Sequence, residues 1–227
     1  MTLRRVVLFA APVLLISRWR RGLTTIVADH AAYWRRRSRR PGEFVLVALG
    51  DSLAQGLTAA RPELGFVGLL ADHLEAELCS SVAVHNLAVS GATVPDVLAD
   101  QLPALDGLAP DLVVVCVGTN DVTRNGPDEF RENWRTLCTE LATRAERTRV
   151  LVADVPDFRG GPHRVTAQRY AAVAREILAG YPALVPAPLH ALTRGQRLRD
   201  VGRDLTHPGN SGHRTYLAAF LAALEQT

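Results

Sequence analysis

The chain contains no lysine: all 26 of its basic residues are arginine. This points to a GC-rich coding bias and carries no functional signal of its own. Cysteine is scarce, with only Cys79, Cys116 and Cys138 among 227 residues. An odd number without metal-type pairing builds no disulfide framework and calls for no oxidising compartment. Cys116 lies inside an apolar run and reads as a small core residue. Repeats, low-complexity tracts and a glycine-rich phosphate loop are all missing. No apolar stretch is long enough to cross a bilayer as a straight helix, the longest near the start being residues 6–16 with Pro12 inside it. Nucleic acid is not an expected partner, because the body of the chain has no basic face and no reading motif.

What is present describes an ordinary globular protein, with 48% hydrophobic and 22% charged residues. The length suits one α/β domain plus an appendage. The net charge of +3 hides an asymmetry: residues 1–40 hold ten arginines against Asp29, so this arm carries +9 and the remainder −6. The expected division is therefore an arm over residues 1–41 and a domain over residues 42–227. Two readings of the arm stand side by side. Short apolar segments, the aromatics Tyr33-Trp34 and the cluster Arg35–Arg40 suit a segment lying on an anionic membrane surface. The same residues also suit a helix packed on the domain, followed by a solvated basic linker. Arginines occupy the place of a small-residue cleavage site, so a cytoplasmic protein, peripheral at the membrane on the first reading, is expected; export by an N-terminal signal stays open.

From Pro41 onward strand and helix patterns alternate. Apolar runs at residues 44–49, 82–87, 112–117 and 150–153, with a weaker one at 183–185, read as strands. Helical stripes follow at residues 66–78, 93–105, after Pro127, at 166–178 and at 211–224. Five such units predict a three-layer α/β/α domain with a five-stranded parallel sheet.

Polar residues gather at the strand ends, which in a parallel sheet share one edge. Gly50-Asp51-Ser52-Leu53 follows the first strand, Ser90-Gly91 the second, and Gly118-Thr119-Asn120-Asp121 the third, while Asp204-Leu205-Thr206-His207-Pro208 precedes the last helix. Acyl transfer needs a nucleophile, a base, a group that orients the base, and donors for the developing oxyanion. Ser52 can be the nucleophile, His207 the base and Asp204 its orienting carboxylate. Ser52 N–H, Gly91 N–H and the Asn120 amide can supply the donors, with glycine at 91 keeping a Cβ out of the way. Asp121 reads as a support for its own turn, and His213 as structural. Phe158, Arg159 and His163 lie on a loop expected to flank the pocket. A metal site on Asp204, His207 and His213 lacks a further ligand, so neither metal nor cofactor is expected.

These four blocks, in this order and at this spacing, resemble the SGNH (GDSL-type) hydrolase superfamily over about residues 42–225. The resemblance implies a flavodoxin-like sheet and metal-free hydrolysis of an ester or thioester, with a small-molecule or lipid ester as substrate. The G-x-S-x-G elbow of α/β-hydrolases is absent, since Ala54 occupies its last position. Two other outcomes share the fold: an acyltransferase, which passes the acyl group to an alcohol, and a binding protein without turnover. The arginine-rich stretch before Asp204 has little to fix a substrate pocket.

Overall fold

A computed structural model describes residues 24–226. The apolar run at residues 6–16 and its flanking arginines lie outside the described residues. The strands β1 (Phe44–Gly50), β2 (Val82–Asn86), β3 (Leu112–Cys116), β4 (Arg149–Ala153) and β5 (Leu184–Ala187) form one parallel sheet in the order β2-β1-β3-β4-β5. The helices are α1 (residues 24–37), α2 (Phe66–Leu78), α3 (Val94–Asp96), α4 (Leu102–Leu105), α5 (Asp121–Arg124), α6 (Pro127–Arg144), α7 (Arg164–Leu178), α8 (Leu189–Thr193) and α9 (Asn210–Leu224). The expected three-layer architecture is the one observed.

Side-chain alternation along the strands divides the core in two. Leu46 and Ala48 of β1 join Val114, Leu151 and Ala153 under Phe66 and Leu70 of α2 and Phe220 of α9. Val47 and Leu49 join Val113, Val115 and Val152 under Trp134 of α6 and Tyr170 of α7. Burial on both faces explains why these strands read as unbroken apolar runs. The chain leaves β1 for β2 on one side and later reaches β3 on the other. The order of strands therefore reverses between β1 and β3, and an open α/β sheet holds its ligand crevice at such a point.

Two elements differ from the expected pattern. The helical stretch 94–105 is not continuous α-helix, because Val97–Gln101 widens into a π turn between α3 and α4. Pro103 follows directly, and with no N–H to give to the carbonyl four residues back it favours such a local rearrangement. The fifth strand extends through Pro186 to Ala187, which is tolerated because β5 is an edge strand.

Trp34, an interfacial aromatic on the first reading of the arm and part of a packed helix on the second, is a core residue 3% exposed. It packs in the layer that contains α2 and α9, and its indole N–H donates to the Gln55 carbonyl at 3.0 Å. His30, one turn earlier, places Nδ1 3.1 Å from the same oxygen. One turn later, Arg37 donates to the Val82 carbonyl at 2.9 Å. Residues 30, 34 and 37 share one helix face by the i, i+4, i+7 rule, and that face carries a ring, an indole and a guanidinium instead of an apolar stripe. Arg35, Arg36, Arg39 and Arg40 stay exposed.

Trp34→Ala should therefore destabilise the protein by about 3–5 kcal/mol, the range for emptying a buried Trp or Phe site. Trp34→Phe should cost about 1 kcal/mol for the lost hydrogen bond if the ring still fills the site. Urea unfolding of the full chain measures both; an Ala variant as stable as the parent would mean that α1 is only loosely attached.

Candidate active site

The turn that carries Ser52 begins where no side chain fits. Gly50 has φ +143°, and a Cβ there would lie 1.9 Å from the Cys116 carbonyl oxygen of the neighbouring strand. Gln101, 3% exposed at the end of the π turn, pairs with both backbone groups of Gly50. It accepts the Gly50 N–H and donates to the Gly50 carbonyl, each at 2.8 Å. The strand end is thus fixed before the chain turns into Asp51 and Ser52.

Ser52 Oγ lies 2.9 Å from His207 Nε2, and His207 Nδ1 lies 2.5 Å from Asp204 Oδ2. An ionised carboxylate only accepts, so Nδ1 carries the ring proton. Nε2 is then the acceptor for the Ser52 hydroxyl. Asp204 Oδ1 also takes the N–H groups of Thr206 and His207, both at 3.0 Å. Half-burial works against the charge of Asp204, but its bonds to His207 and Thr206 outweigh that and hold its pKa below the ordinary carboxylate value. The loop is closed behind His207 by Gly202 N–H, which donates to the His207 carbonyl at 2.7 Å.

Asn120 stands at the same edge with its amide already engaged. Nδ2 donates to the Ala92 carbonyl at 3.0 Å and to Asp51 Oδ2 at 3.3 Å. Among the described residues, no protein acceptor takes the N–H of Ser52 or of Gly91. Gly91 has φ +88°, and the nearest atom to a Cβ there would be an Arg124 nitrogen 3.7 Å away. The positive φ is itself a reason for glycine at 91, beside the access for a substrate expected from sequence.

A cleft of about 550 Å³ opens over Ser52, Asn120 and His207, with Leu53, Phe158 and Leu205 among its apolar walls. Arg159 also lines it, whereas His163 and Gly91 do not. His213 is fully buried, with Nε2 3.3 Å from the Leu57 carbonyl, as expected of a structural residue.

Sequence reasoning passed over Asp51, which has no exposed surface. Its carboxylate accepts from Leu53 N–H at 2.9 Å, Thr119 Oγ at 2.7 Å and Asn120 Nδ2. It also passed over Gln55, whose side chain donates to the Ala88 carbonyl at 2.7 Å and accepts from Ser90 Oγ at 2.6 Å. Arg124 went unread too, although Nη1 donates to the Gly91 carbonyl at 2.7 Å. Polar residues in turns offered the only signal for any of these.

The sequence profile of the GDSL-like Lipase/Acylhydrolase family matches residues 48–215. The chain belongs to this family. It is an ester hydrolase of the SGNH type, and its parallel sheet is that of the solved relatives. A variant of Axe2, an acetyl xylan esterase from Geobacillus stearothermophilus, superposes with TM-score 0.66 at 23% identity, over 81% of this chain and 95% of that one. LAE5, an alpha/beta hydrolase enzyme from the metagenome of Lake Arreo, Spain, gives 0.65 at 23% identity, over 81% and 96%. TesA gives 0.66 at 25% identity, over 80% and 98%. No curated protein matches the chain.

Burial pushes the carboxyls of Asp51 and Asp121 up to about 6. The donors around them favour the charged form and offset only part of that effect. A carboxyl with a raised pKa binds its proton more tightly in the folded state. Its contribution is therefore most favourable below about pH 4, and stability falls as pH rises through about 6. Asp121→Asn should make that fall smaller, as read from urea unfolding midpoints across this pH window; an unchanged slope would show that Asp121 titrates alike in both states.

Proposed function

We propose that the protein is a serine esterase that works through an acyl-enzyme on Ser52. The observation that carries this reading is the unbroken relay from Ser52 Oγ through the His207 ring to Asp204, opening into a cleft with apolar walls. His207 Nε2 takes the hydroxyl proton as Ser52 Oγ attacks the acyl carbonyl, and Asp204 stabilises the imidazolium that forms. The carbonyl π pair moves onto oxygen, where Ser52 N–H, Gly91 N–H and Asn120 stabilise the charge. Collapse of this intermediate expels the alcohol, which receives its proton from His207. Water, deprotonated by the same imidazole, then releases the acid from Ser52. Every group in this scheme belongs to the chain, so a small ester is the only reactant besides water.

Asn120 has a further condition to meet. Both of its amide hydrogens are in use, and the 3.3 Å bond to Asp51 is the longer of the two. On this reading, that bond yields to the oxyanion, so the donor gains most of its partner only as charge develops. Asn120→Ala should then lower kcat by about 10²–10³-fold with little change in KM. A large rise in KM at normal kcat would make Asn120 a substrate-binding residue instead.

For residues 1–40, we propose contact with an anionic membrane surface, supported by the exposed arginines of α1 and of the turn after it. Trp34 takes no part in that contact, since it is buried. Among the described residues, no helix is long and apolar enough to cross a membrane.

The direct test is labelling with a fluorophosphonate probe and turnover of p-nitrophenyl esters of increasing chain length. Ser52→Ala and His207→Ala should each lower turnover by about 10³-fold or more, with the double variant little worse than either. Multiplicative losses, or probe labelling that survives Ser52→Ala, would remove Ser52 from the mechanism.

A further inference from the structure

The segment around Asp204, residues 201–208, forms a wall between two hollows. One face of the segment 201–208 lines the catalytic cleft through Val201, Leu205, Thr206 and His207. Its other face, with α1 and the 58–62 turn, lines a separate hollow of about 1040 Å³. Val201 belongs to both, so the two are immediate neighbours. The wall is well braced. Val201 and Pro208 form an antiparallel bridge, Thr58 Oγ donates to the Pro208 carbonyl at 3.0 Å, and Ala60 N–H donates to Asn210 Oδ1 at 2.8 Å.

Five arginines line this second hollow: Arg36, Arg61, Arg199, Arg203 and Arg214. Nearby carboxylates compensate them poorly. Arg61 meets Glu63 at 3.3 Å, and Arg199 is 4.0 Å from an Asp200 oxygen that already accepts from Ser211 Oγ at 2.7 Å. Asp29 also lines the hollow. Arg36, Arg203 and Arg214 have no ion-pair partner among the described residues. Like charges drawn from four separate segments repel, and the body of the chain is otherwise acidic, at −6 beyond residue 40. A multiply charged oxyanion relieves that repulsion, and guanidinium groups match its geometry with paired N–H donors.

We propose that this hollow is an anion-binding site that takes a phosphate group carried by the ester substrate, holding it on the far side of Val201 from the reacting carbonyl. This substrate class rests on the assignment of Ser52 as nucleophile; the site itself is open to measurement without turnover.

The test uses the full chain and a matched pair of soluble esters, 1-butyryl-glycerol and 1-butyryl-glycerol 3-phosphate. The parent enzyme should prefer the phosphorylated ester, and salt should erode the preference by screening. The triple variant Arg36→Gln/Arg61→Gln/Arg214→Gln changes only exposed side chains. It should raise KM for the phosphorylated ester about tenfold or more, as expected for loss of charge-assisted bonds. Its turnover of the neutral ester should stay within about twofold of the parent, which also reports an intact fold. Calorimetric titration of the Ser52→Ala protein with the phosphorylated ester should show binding that the added triple substitution abolishes. That arm stands even if Ser52 proves not to be the nucleophile. Sedimentation with phosphatidylglycerol and phosphatidylcholine vesicles separates the source of the phosphate. A loss confined to the anionic vesicles, with KM and titration unchanged, would overturn the proposal and leave Arg36 only its membrane contact. Unchanged KM, titration and sedimentation in the triple variant would overturn the proposal.

Discussion

A carboxylate without solvent contact ties two strand ends together. Asp51 accepts from its own turn through Leu53 N–H and from the turn after β3 through Thr119 and Asn120. β1 and β3 are neighbours at the point where the strand order reverses, so both turns project over the same crevice. Without that carboxylate, Ser52 and Asn120 would stand on two independent loops. With it, one side chain bonds to the turn of the proposed nucleophile and to the proposed oxyanion donor. Burial disfavours the charge that draws those donors in, and the raised pKa is the measure of that conflict.

Other groups extend the bracing outward. Gln101 holds Gly50 from below, and Gln55 holds the Ala88–Ser90 segment beside Gly91. The Gln55 carbonyl is in turn held by α1 through Trp34 and His30. Each bond is a neutral or singly charged contact of ordinary length. Their effect comes from being consecutive, so that the crevice residues have few independent ways to move.

The sheet and most helix positions were legible because burial on both faces writes long apolar runs, and because helix stripes repeat at a fixed spacing. Ser52 and Asn120 were legible because they sit where strand ends must converge, and His207 because it precedes the last helix in a block that pairs it with Asp204. The remaining features carry no such periodic signal. The binding face of α1 is His30, Trp34 and Arg37, which scores as polar although the indole is buried. The π turn that delivers Gln101 shifts the helix phase by one residue, so the pattern alone gives no reason to aim that glutamine at Gly50. The bracing role of Asp51 needed the third-strand turn to be placed beside it. Gly91 was legible as a strand-end glycine, but the positive φ it adopts was not.

The segment shared with the family ends before the fold does. The match covers residues 48–215, yet Trp34 lies before it and Phe220 after it, and both close the same face of the sheet. The segment shared in sequence is therefore smaller than the unit whose core must close in this chain. Recombination at the borders of the shared segment would leave one layer open to water. In this protein, residues outside the shared segment are part of the scaffold, and a chain cut at its borders would lack two of the side chains that keep that face of the sheet dry.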